Sequence, residues 1–111
     1  MMSLKEKINI VASENMTNKD VIQYLALNND KNYNLLKCTE ELSELQTILL
    51  QNINKEKDIN IQDIIDEIGD CVIRLEVLKL IYNKTLIKER VDYKLNKFRT
   101  YIKKGKYLKK I

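Results

Sequence analysis

Ile61-Gln62-Asp63-Ile64-Ile65-Asp66-Glu67-Ile68-Gly69-Asp70-Cys71-Val72-Ile73-Arg74-Leu75-Glu76-Val77-Leu78-Lys79-Leu80-Ile81-Tyr82 is the stretch that decides the fold. Ile61, Ile64, Ile68, Cys71, Leu75, Leu78 and Tyr82 recur at three and four, the spacing of one helix face. Ile73, Val77, Leu80 and Ile81 fall on the other side, so the C-terminal half of this helix is apolar nearly all round. A lone chain of this length would leave that second face wet, and self-association is the expected remedy. Glu67 and Asp70 sit to one side of the first face. Gly69 lies between them, and Gly inside a helix costs about 1 kcal/mol relative to Ala. It marks either a close approach by another helix or ligand, or simple tolerance.

Outward from this helix the pattern repeats. Upstream, Leu35, Cys38, Leu42, Leu45 and Leu49 line a helix from about Lys31 to Gln51, with Glu41 and Glu44 beside its apolar face. Asn52 to Asn60 reads as a polar connecting loop, and Asn60 with Asp63 three residues later resembles a helix start. A short helix is expected over Asn18 to Leu27, with Thr17 or Asn18 as N-cap and Val21, Tyr24, Leu25 and Leu27 as its apolar residues. Downstream, Val91, Leu95, Phe98 and Ile102 predict a last helix from about Leu86 to Lys103, ending near Gly105, with a frayed tail over Lys106 to Ile111. There is no Pro, so no helix is interrupted. The expectation is a single all-α domain over residues 1–111, a bundle of about four helices completed by oligomerisation.

Composition narrows the function. Hydrophobic content of 44% and charged content of 32% suit a globular chain. Met1 to Val11 lacks the continuous apolar core of a signal peptide, and Val72 to Tyr82 carries Arg74, Glu76 and Lys79, unlike a membrane span. A cytoplasmic protein without a membrane partner is expected. Cys38 and Cys71 fall on apolar faces and read as buried free thiols. The net charge of +4 hides a division: nine Lys/Arg against fourteen Asp/Glu up to Asn83, and eleven against two from Lys84 onward. An acidic body carries a basic C-terminal helix.

The two acidic pairs carry the chemistry. Glu41-x-x-Glu44 and Glu67-x-x-Asp70 each crowd like charges at a spacing that costs an isolated helix about 0.2–0.5 kcal/mol. A bound divalent cation reverses the sign of that interaction. Mg²⁺ prefers carboxylate oxygens and commonly bridges phosphates, so four carboxylates at matching edges of two packed stripes suit it. The chain has no His, which excludes Glu-x-x-His di-iron sites, the H-E-x-x-H zinc motif and a His-based nucleophile relay. Glu40 points farther round its helix than Glu41, so Glu41 is the better ligand and Glu40 is solvated or supports it from outside. The basic helix has three readings: solvation, nucleic-acid phosphates, or neutralisation of a polyphosphate held by the metal. The acidic body makes nucleic acid the weaker partner.

These residues resemble a known family. Glu41-x-x-Glu44, a gap of 22 residues, then Glu67-x-x-Asp70 is similar to the signature of the all-α, MazG-like nucleoside triphosphate pyrophosphohydrolases. Lys37 to Leu45 resembles the first motif helix, Asp66 to Asp70 the second, and Lys94-Leu95-Asn96-Lys97-Phe98-Arg99 the basic element that follows. The likeness spans about Leu35 to Ile102. It implies a helical bundle assembled as a dimer or tetramer, Mg²⁺ held by Glu41, Glu44, Glu67 and Asp70, and hydrolysis of a nucleoside triphosphate to monophosphate and pyrophosphate. Lys94 and Arg99 would contact phosphates. One carboxylate, for instance Glu41, would take the proton of the attacking water. No base-recognition pattern aligns; Gln23, Tyr24 and Tyr33 are candidates for an amide edge or a stacking ring, although a Tyr on a short helix more often packs. The competing readings are a catalytically silent helical module whose basic helix docks an acidic partner, and a nucleic-acid adaptor.

Overall fold

A computed structural model describes residues 1–55 and 58–110. Among them there are five helices and no strand: α1 (Leu4–Glu14), α2 (Asn18–Asn28), α3 (Lys31–Asn54), α4 (Ile61–Tyr82) and α5 (Lys84–Lys103). None is long and apolar enough to cross a membrane. The chain divides into two compact units, Met1–Ile81 and Tyr82–Ile111.

Each helix starts at a side chain that accepts from an otherwise orphaned backbone N–H. Thr17 and Asp20 form a reciprocal capping box at α2. Asp30 accepts from the Asn32 N–H at 2.7 Å, Asn60 from Gln62 at 2.9 Å and Asn83 from Leu86 at 3.0 Å. The sequence reading placed no helix before Asn18, yet α1 forms there. Its signal is Ser3-x-x-Glu6, a second capping box, with Ser3 Oγ and the Glu6 carboxylate each 3.1 Å from the other's N–H. α3 runs past Gln51 into the expected loop and ends on Lys55 in the left-handed region, φ 54°; residues 56 and 57 of that loop lie outside the described residues.

The first unit has a small core. Cys38, Cys71 and Val77 are buried, together with Asn34, whose amide donates to the Leu25 carbonyl at the end of α2 at 3.1 Å. On both long helices the inward stripe is turned from the one read in the sequence. In α3 the least exposed positions are Asn34, Leu35, Lys37, Cys38, Glu41, Leu45, Ile48 and Gln51. In α4 they include Ile64, Glu67, Cys71, Arg74, Val77, Leu78 and Ile81. Val77, assigned from sequence to the outer side, is the most buried residue of α4, whereas Leu42, Leu49, Ile61, Ile68 and Leu75 are between 39% and 74% exposed. The turn brings Glu41 and Glu67 into the inward stripes and leaves Leu42, Leu49, Ile61, Ile68 and Leu75 outside.

In the second unit α5 ends as predicted. Gly105, φ 69°, donates to the Ile102 carbonyl and Lys106 to that of Tyr101, a pattern that closes the helix and uses Gly at the position where a Cβ would be strained. Tyr107 folds back with its ring 5.1 Å from that of Phe98 and stacks on Tyr101 at 6.1 Å.

Candidate metal centre

α3 and α4 meet where their acids are. The Cys71 thiol donates to the backbone carbonyl of Glu41 at 3.2 Å, which fixes the neighbourhood of Glu41 on α3 and Cys71 on α4. Burial pushes both thiols up, and for Cys71 the Glu41 carboxylate adds to it, so both stay protonated and behave as small apolar side chains. Glu67 lies four residues before Cys71, and Asp70 immediately precedes it.

One carboxylate oxygen from each of Glu41, Glu67 and Asp70 comes within 4.8 Å of the others. Around a six-coordinate Mg²⁺ with bonds of about 2.1 Å, adjacent ligand oxygens are roughly 3 Å apart and opposite ones about 4.2 Å apart, so small side-chain adjustments bring these three onto one ion. Two atoms already ask for it. Oε2 of Glu41 and Oε2 of Glu67 are shut off from solvent and have no hydrogen-bond partner. A buried acceptor without a donor is costly; a hard cation would satisfy both oxygens, as would a proton shared with Glu44, which is within hydrogen-bond reach of both carboxyls.

Electrostatics agree. The Glu41 carboxyl is held above the usual carboxylate range by removal from water first, then by the charges of Glu44 and Asp70. Glu67 is raised in the same direction, again by burial first and then by Glu44 and Glu41. Glu44, itself exposed, is therefore close enough to act on both. Glu41 is thus acted on by Glu44 and Asp70, and Glu67 by Glu44, Glu41 and Asp70, while Glu41, Glu67 and Asp70 are the three with oxygens within 4.8 Å of one another. Glu40 stands apart, paired with Lys37 at 3.1 Å.

Sequence reading missed Arg74. It follows Asp70 by one turn and Glu67 by two on the inward stripe of α4, and its charge acts on Lys37, Cys38 and Glu41 of α3. It opposes the rise in the Glu41 pKa. Its Nη1 is buried without an acceptor. The signal was available in the spacing of Glu67, Asp70 and Arg74 at three and four.

On the side of Glu44, a recess of about 390 Å³ is lined by Ser43, Glu44, Thr47, Ile48, Gln51, Asp58, Ile59 and Asp63. A second recess, about 590 Å³, lies between α2 and the end of α4; Gln23 lines it with Leu27, Asn29 and Leu80. Tyr24 and Tyr33 do not line it and are about half exposed, with the Lys37 ammonium 5.5 Å from the Tyr33 ring centre. Lys94 and Arg99 lie on α5, in the second unit; Arg99 donates to the side chain of Asn96. No family model matches the chain, and no match is found among curated proteins or solved structures.

Proposed function

We propose that this chain is a Mg²⁺-dependent nucleoside triphosphate pyrophosphohydrolase of the MazG-like kind, acting in nucleotide-pool cleaning. The observation that supports it most is the convergence of Glu41, Glu67 and Asp70 from two helices, with two of their oxygens buried and unpartnered. Glu41, Glu44, Glu67 and Asp70 would hold the cation. When bound, Mg²⁺ supplies charge neutralisation and polarisation of phosphoryl oxygens. The chain's own contribution is position and proton transfer. Glu41 is the carboxylate we assign to take the proton of the attacking water. Water attacks the α-phosphorus, the bond from that phosphorus to its bridging oxygen breaks, and pyrophosphate leaves with the electron pair. No protein nucleophile is needed. The resemblance implies Lys94 and Arg99 as phosphate contacts, and Gln23, Tyr24 and Tyr33 are the candidates for the base.

Self-association belongs to the same reading. Leu42 and Leu49 of α3 and Ile61, Ile68 and Leu75 of α4 form rows of exposed apolar side chains, and a second copy is the natural cover for them.

The test is a panel of canonical, deoxy and modified nucleoside triphosphates incubated with and without Mg²⁺. Metal-dependent release of monophosphate and pyrophosphate supports the proposal. Release of orthophosphate, or no turnover across the panel, contradicts it.

A further inference from the structure

A triphosphate brings more negative charge to a centre that already has four carboxylates, and a single divalent cation leaves that sum negative. Cations of the chain itself are one source of the balance. In the unit that carries the acids, Lys37 is engaged by Glu40, whereas Arg74 has a guanidinium nitrogen enclosed by the fold with no acceptor. Arg74 is half-buried, and an enclosed guanidinium N–H without an acceptor carries a desolvation cost that an anionic oxygen would relieve. Its place is informative: one turn beyond Asp70 on α4, with its charge acting on Lys37, Cys38 and Glu41 of α3. On the Glu44 side, the recess carries the carboxylates of Glu44, Asp58 and Asp63 and so repels phosphate.

We infer that Arg74 is the phosphate-contacting residue of the α3–α4 site, donating to an oxygen of the pyrophosphate portion of a ligand that also reaches the cation. This rests on the metal-centre reading above and adds the direction in which the anion lies.

The experiment is calorimetric, on the full chain, with Mn²⁺ alone and then inorganic pyrophosphate added to the Mn²⁺-loaded protein. In Arg74→Gln the loss of a nearby positive charge leaves Mn²⁺ affinity unchanged or slightly tighter, while pyrophosphate binds at least about tenfold more weakly, as loss of a charge-assisted hydrogen bond requires. Arg74→Lys restores part of the pyrophosphate affinity, because a point charge lacks the planar fork. If Arg74→Gln loses helicity, Arg74→Met carries the same comparison. Pyrophosphate affinity equal to wild type in the charge-removing variant overturns the inference, and so does a parallel fall in both affinities, which marks Arg74 as structural. Wild-type protein that binds Mn²⁺ but not pyrophosphate overturns this inference alone; wild-type protein that binds no Mn²⁺ overturns the metal centre as well.

Discussion

Glu67 concentrates the chemistry at the residue scale. It is partly buried among other carboxylates, with one oxygen unpartnered and its pKa pushed up. A carboxyl whose folded-state pKa exceeds its unfolded value binds more protons when folded, so its contribution is greatest below the unfolded pKa and is lost as pH rises through the folded one. Glu41 shares that direction. The metal-free protein is therefore expected to lose melting temperature as pH is raised from the ordinary Glu pKa of about 4.3 toward neutrality. Mg²⁺ should restore it at pH 7 and have little effect at the acid end, as thermal melts at the two pH values will show. Glu67→Gln should raise the melting temperature of the metal-free protein at pH 7 and abolish the Mg²⁺ response together with turnover. Gly69 behaves differently from its neighbours. A Cβ there meets nothing within 4 Å, so no close approach within the chain explains the glycine. Gly69→Ala should stabilise the protein by about 1 kcal/mol in denaturant titration, the ordinary helix-interior difference, with metal affinity retained.

Caps and stripes determine what could be read at the scale of elements. The boundaries of α2 and α5 were legible because Thr17 and Gly105 are residues with one favoured use at helix ends. α1 was missed because its residues are all exposed and leave no core stripe to read, so only Ser3 and Glu6 announce it. Thr17→Ala should cost about 1 kcal/mol of stability and leave Mg²⁺ binding intact, since it removes a cap remote from the acids. The acidic pairs were legible as pairs, from spacing alone. Their place was not: sequence periodicity centred each stripe on the most apolar row, whereas packing in the first unit centres it on Cys38 and Cys71, between Glu41, Glu67 and Arg74. Hydrophobicity ranks rows by transfer energy, and it cannot say which row meets a partner within the chain and which meets another copy. Arg74 entered the reading of the sequence only as a charge that no membrane span would carry, and no apolar row pointed to its place on the inward stripe.

For the whole molecule, three apolar side chains are buried among the described residues of the first unit, Cys38, Cys71 and Val77, while rows on α3 and α4 stay open. Such a core is small for a stable domain, and burying these rows between copies adds roughly 25 cal/mol for each Å² removed from water. Sedimentation at micromolar concentration should find an oligomer, and Ile68→Glu should shift it toward monomer; a wild-type monomer would contradict this. The central claim is that α3 and α4 together make one divalent-cation site. Calorimetric titration of Mg²⁺ into wild type and Glu67→Gln at pH 7 tests it most directly: saturable binding by wild type and its loss in the variant is the expected result, and equal binding by both, or none by wild type, would contradict it.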